Sequence, residues 1–143
     1  MNILVTGGTG FVGKALATAL LSRGDSVTVL TRSIEKAQSI FPEKTLQFLT
    51  ALSTLKDLNT FDAVINLAGE PIFDKKWTVQ QKEKLRRSRI DLTQQLVQLI
   101  NQSEYPPALI SGSATGIYGN CGDEQITENT NPSTQFTAQL CID

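Results

Sequence analysis

Gly7, Gly10 and Gly13 stand three apart in the stretch VTGGTGFVG (5–13), directly after an apolar run. Glycines spaced this way between a strand and a helix serve a particular chemistry. The first permits a tight turn, the second lets the backbone approach a diphosphate, and the third lets the helix pack closely on the strand. The N-terminus of the helix then aims unpaired N–H groups and a partial positive charge at the phosphates. A bare triplet of glycines is a weak signal; here NILVT precedes it and an amphipathic stretch follows. The plainer alternative is a glycine-rich turn without a ligand, which leaves that context unused. The turn is therefore read as a dinucleotide cradle, with Gly7, Thr9, Gly10, Phe11, Val12 and Gly13 as its binding residues.

The elements that position this turn are legible along the chain. Strand signals fall at 2–6, 26–31, 46–50, 62–68 and 108–113 as apolar or β-branched runs. Between them, Phe11, Val12, Ala15, Leu16, Ala19 and Leu20 repeat at helical spacing over 11–23, and Gly24 takes the left-handed cap position. A short helix over 33–41 stops before Pro42. The longest helix spans 78–102, with Leu85, Leu92, Leu96 and Leu99 on its inner face; from residue 131 helical character is weak. Alternating strands and helices predict an α/β fold: a doubly wound parallel sheet of about five strands.

Bulk composition narrows the function classes. With 13 basic and 14 acidic residues the net charge is −1, which argues against a nucleic-acid partner. No apolar run is long enough for a membrane span, and the opening residues carry no signal-peptide pattern. The absence of histidine excludes a histidine-based triad or metal site, and two cysteines, Cys121 and Cys141, argue against zinc and suit a reducing cytoplasm. No metal is expected.

TGGTGFVG, NLAGE (66–70) and SGSATGIYG (111–119) together resemble the extended branch of the short-chain dehydrogenase/reductase superfamily, the NAD-dependent epimerase/dehydratase proteins. More narrowly, NLAGEPI, KKWT, SRI and AQLC are similar to an atypical group named as nucleoside-diphosphate-sugar epimerase-like. The resemblance covers essentially the whole chain and implies a Rossmann fold. Complete members are roughly double this length, so residues 1–143 are expected to be an incomplete NAD(P)-binding domain. The C-terminal strands and the lobe that binds a small-molecule substrate would be missing. The last strand would then be an uncovered sheet edge, open to self-association.

The resemblance also implies roles for individual residues. NAD-binding members carry an acidic residue after the second strand, where this chain has Thr31 and Arg32. A carboxylate repels a 2′-phosphate and an arginine binds one, so NADP(H) is expected over NAD(H). The alternative for Arg32 is a solvated charge lying on the adenine. Leu67, Ala68 and Gly69, with Asn66, would line the ribose and nicotinamide side; for Leu67, strand-end packing is an equal reading.

Relatives that move hydride use a serine, a tyrosine and a lysine four residues beyond the tyrosine. Ser113 matches the serine that orients a substrate oxygen. Where the tyrosine and lysine should stand the chain has Phe136 and Leu140, and neither can move a proton. Tyr118 is the nearest phenol and the other catalytic candidate, with pocket lining as its alternative. Lys82, Arg86 and Arg89 share a helix face. They form either a solvated basic stripe or, through Arg89, a partner for an anionic substrate group. Glu70 is a pocket carboxylate or a loop charge. Hydride transfer at a carbinol or carbonyl carbon in the parent enzyme is the first functional reading, and a non-catalytic dinucleotide-binding or sensor module the second.

Overall fold

Nine regular elements alternate through the computed structural model, which describes residues 1–42 and 46–143. They run β1 (Asn2–Thr6), α1 (Phe11–Ser22), β2 (Ser26–Leu30), α2 (Ile34–Ile40), β3 (Gln47–Leu49), β4 (Ala63–Asn66), α3 (Val79–Gln102), β5 (Ala108–Ser111) and α4 (Phe136–Ile142). Short 3-10 turns lie at Leu52–Thr54 and Thr115–Tyr118. The strands form one sheet in the order β3-β2-β1-β4-β5, and every pairing is parallel. This is the Rossmann arrangement: β1 lies at the centre, and the order reverses between β1 and β4.

Each face of the sheet has its own core because successive strand residues point to opposite sides. Ile3 and Val5 of β1, with Val27, Val29 and Ile65, pack under α1 and α2 against Ala17, Leu20 and Phe41. Leu4 and Val64 point the other way, onto Leu96 and Leu99 of α3. Truncating a fully buried leucine such as Leu96 to alanine would cost roughly 2–5 kcal/mol. Gly24, at φ +89°, ends α1 as expected: its N–H donates to the Leu21 carbonyl and that of Asp25 to Leu20.

The inner face of α1 differs from the expected one. Gly13, Ala17 and Leu20 are its buried positions, whereas Phe11, Val12, Ala15 and Ala19 are exposed, Phe11 almost completely. The apolar series wraps too far around the helix to choose a stripe, and the choice falls to the closest approach, which needs the side-chain-free Gly13. On α3 the expected face holds: Leu85, Leu96 and Leu99 are buried and Leu92 partly so.

Candidate cofactor site

The turn after β1 leaves the sheet at the point where strand order reverses, where ligands of such sheets bind. Gly7 has φ +67°, the left-handed region that favours glycine. A Cβ on it would stand 2.6 Å from the Leu67 carbonyl carbon, so the turn lies directly against the loop after β4. A Cβ on Gly13 would stand 2.2 Å from the Gly7 carbonyl oxygen and 2.7 Å from the Gly8 Cα. Gly13 thus brings α1 against the turn itself rather than against the strand. Gly10 is exposed, and a Cβ there would meet only the Gly7 carbonyl, at 3.2 Å.

The start of α1 has free donors. α2 and α3 are capped by side chains: Ser33 accepts from the Lys36 N–H and Thr78 from the Gln81 N–H. α1 begins on Gly10 with no side-chain cap and no acidic residue in its first turn. Its leading N–H groups have no carbonyl one turn back. At the turn, Phe11 and Val12 are exposed and Thr9 is half-buried.

Asn66 takes up strand-end packing. It is buried, and its side chain knits strand ends together: the Thr6 hydroxyl donates to Oδ1 at 2.6 Å, and Nδ2 donates to Thr93 Oγ1 at 3.0 Å and Ser111 Oγ at 3.3 Å. The Thr6 hydroxyl accepts in turn from the Ala68 N–H. Leu67 packs on the α1-side core, so its outward contribution is main chain. Ala68 is half-buried and Gly69 exposed.

At the end of β2, Thr31 is buried; its hydroxyl donates to the Ser33 carbonyl and accepts from the Ser33 N–H. That local turn leaves Arg32 as the outward side chain of the segment. Across the site Glu70 pairs with Lys84 at 2.9 Å and Lys75 at 3.9 Å. The hydrogen bond from Lys84, aided by the charges of Lys84, Lys75 and Arg32, holds its carboxyl below the usual value. Glu70 is an ion-paired loop residue.

The residues put forward for catalysis lie beyond β5. Ser113 is exposed just after the strand, and Tyr118 is half-buried at the end of the Thr115–Tyr118 turn, where its carbonyl accepts from the Cys121 thiol. The Ser133 N–H donates to the Ile117 carbonyl and ties this turn to the approach to α4. Phe136 opens α4 with its ring edge-on to Trp77, centroids 5.6 Å apart, and the Lys82 ammonium 5.2 Å from its centre. Leu140 is buried.

The basic face of α3 is partly solvated: Arg86 is exposed, and Lys82 and Arg89 are half-buried. Lys82 covers Phe136, Arg86 pairs with Asp143 at 3.2 Å, and Arg89 is half-buried against the loop after β4. Arg89 Nη1 and Nη2 each donate to the Glu70 carbonyl at 3.1 Å, and Nη1 also reaches the Leu85 carbonyl. Burial pulls the guanidinium below its usual value. The sequence reading missed Ser88, whose hydroxyl accepts from the Glu70 N–H at 2.9 Å. The signal available was its place in the SRI motif, residues 88–90.

A model of the NAD dependent epimerase/dehydratase family matches residues 3–140. The chain belongs to that family. Among its relatives, the epimerase family protein SDR39U1 homolog, chloroplastic, of Arabidopsis thaliana is 35% identical over 147 aligned residues, covering 99% of this chain and 42% of that protein. Protein Rcp of Vibrio cholerae is 44% identical over 118 residues, covering 80% of this chain and 57% of its own. The chain thus spans about half the length of the curated relatives it matches. The crystal structure of human epimerase family protein SDR39U1 (isoform 2) with NADPH superposes with a TM-score of 0.80 at 29% identity, over 98% of this chain and 46% of that one. UDP-glucose-4-epimerase of Stenotrophomonas maltophila, solved with NAD and formylated UDP-arabinopyranose, reaches 0.79 at 18% identity, over 99% and 46%; it shows the shared fold. Across the described residues of this family member, no helix is long and apolar enough to cross a membrane.

Proposed function

We propose that residues 1–143 form the NADP(H)-binding part of an epimerase- or oxidoreductase-like enzyme, the substrate lobe belonging to the remaining length found in its relatives. One observation carries the reading: α1 starts uncapped on Gly10, its free N–H groups at the mouth of an open glycine turn where strand order reverses. Gly7, Thr9, Gly10, Phe11, Val12 and Gly13 present that backbone to the diphosphate. Arg32 holds the 2′-phosphate, while Thr31 shapes the turn that displays it. The human relative solved with NADPH supports this preference over NAD. Leu67, Ala68 and Gly69 contribute main chain on the β4 side.

When bound, the nicotinamide supplies the acceptor or donor of a hydride from a carbinol or to a carbonyl carbon. The chain's own part is to orient: Ser113 holds the substrate oxygen and Tyr118 is the phenol nearest to it in sequence. The substrate is a small molecule. A cytoplasmic setting fits the free thiols of Cys121 and Cys141.

The second reading, a non-catalytic dinucleotide-binding module, is favoured by Phe136 and Leu140. By the family resemblance they stand in sequence where the tyrosine and lysine would be, and neither side chain can move a proton; Phe136 packs on Trp77 and Leu140 is buried. Titration of NADPH and NADH against the wild type and Arg32→Ala tests the cofactor. The variant is expected to lose roughly 10–100-fold in NADPH affinity, the worth of a charge-assisted hydrogen bond, and little in NADH affinity. Equal wild-type affinity for both removes the NADP(H) preference. NADPH oxidation against a carbonyl panel, with a form of full relative length, separates enzyme from module.

A further inference from the structure

The loop after β4 is held by its main chain at two successive groups of one residue. The Glu70 N–H donates to Ser88 Oγ at 2.9 Å, and the Glu70 carbonyl accepts both terminal nitrogens of Arg89 at 3.1 Å. Both gripping side chains are themselves fixed to α3, since Ser88 Oγ donates to the Leu85 carbonyl at 2.8 Å and Arg89 Nη1 to the same oxygen at 3.2 Å. Leu85 is fully buried, so the anchor belongs to the core. The guanidinium lies flat on Gly69, where a Cβ would stand 2.8 Å from Cζ. On its other flank the same loop touches the glycine turn, through the Leu67–Ala68 peptide against Gly7. Its position is thus set between α3 and the diphosphate cradle.

In doubly wound sheets a dinucleotide crosses the reversal point with its adenosine half toward the second strand. On the dinucleotide reading above, that half would lie by Arg32 and the other half would meet the loop after β4. We propose that Ser88 and Arg89 are positioning residues for the nicotinamide half of the cofactor: by clamping the Glu70 main chain they set the surface that Ala68, Gly69 and Glu70 offer to it. The inference rests on the dinucleotide reading above. It gives Arg89 a task other than pairing with an anionic substrate, because its hydrogen bonds are directed at the Glu70 and Leu85 carbonyls and the Ser88 hydroxyl of its own chain.

The test is calorimetric titration of the full chain and of Arg89→Ala, Arg89→Lys and Ser88→Ala. Two ligands are used: NADPH, and adenosine 2′,5′-bisphosphate, which keeps the adenosine end and lacks the nicotinamide half. Arg89→Ala is expected to weaken NADPH on the order of tenfold while leaving the bisphosphate within about twofold. Ser88→Ala should follow the same pattern more weakly. Arg89→Lys should recover part of the loss, one ammonium replacing two donors. Retained bisphosphate binding also reports that a variant is folded. Loss of both ligands in parallel across the variants, or unchanged NADPH affinity in all of them, overturns the clamp and leaves the cofactor reading standing. A wild type that binds neither ligand removes both.

Discussion

Glu70 is where three segments meet electrostatically. Lys84 on α3 donates to its carboxylate, Lys75 lies farther off in the same loop, and Arg32 adds its charge from the end of β2. Because the Lys84 hydrogen bond, foremost, holds the folded carboxyl below its usual 4.5, the pair stabilises the fold above that pH. The contribution is lost as pH falls through the lower folded value. Lys84→Ala should therefore move the Glu70 titration up toward 4.5, read from its carboxyl carbon by NMR; an unmoved midpoint would show that Lys84 is not the cause. Two glycines separate space from backbone strain. Gly24→Ala meets nothing within 4 Å and suffers only from φ +89°, a cost of about 1–2 kcal/mol. Gly13→Ala has ordinary backbone angles but drives a methyl into the Gly7 carbonyl. It should lose more stability on denaturant unfolding and, unlike Gly24→Ala, also lose NADPH binding. Equal behaviour of the two would count against a close-packed diphosphate turn.

At the scale of elements, Asn66 couples β1, β4, β5 and α3 through one amide. Asn66→Leu strands the Thr6 hydroxyl and removes two further bonds in a buried place, so a loss of roughly 2–3 kcal/mol is expected from chemical unfolding. A value near zero would mean that water replaces the amide. Such couplings mark the limit of what could be read in advance. All five strands were legible: β1, β2 and β4, covered on both faces, read as apolar runs whatever their neighbours, and β3 and β5 read as apolar runs although they are partly or fully exposed. The glycine turn was legible for a related reason: φ +67° and a 2.6 Å approach admit only one residue type. The inner face of α1 was not, since glycine and alanine at 13 and 17 give no hydrophobic signal. Nor was the task of Lys82, Arg86 and Arg89, whose partners are Phe136, Asp143 and the Glu70 carbonyl. Two of these lie some fifty residues away in sequence, and a main-chain acceptor carries no residue signature at all. α4 is seven residues long and has no side-chain cap. Its place depends on Phe136 packing with Trp77 and Lys82, which helical periodicity does not report.

Over the whole molecule, the strand order puts the shortest strand, β3, at one border and β5 at the other. β3 offers three residues for pairing, a length that limits edge-to-edge addition. β5 is different: all four of its residues are exposed, Ile110 by 56%, and among the described residues it pairs only with β4. An edge with free N–H and C=O groups and apolar side chains is a template for another strand, and the same edge of a second copy is the nearest match available to this chain alone. Light scattering on the 143-residue chain should therefore show a mass that rises with concentration. Ile110→Lys, which sets a charge on the edge without touching the glycine turn or the Glu70 clamp, should return it to monomer and leave NADPH affinity unchanged. Persistent association in that variant would place the contact elsewhere, the exposed Phe11 and Val12 at the mouth of the cradle being the next apolar surface. Addition of NADPH distinguishes the two, since a contact over the cradle competes with the cofactor and one along β5 does not.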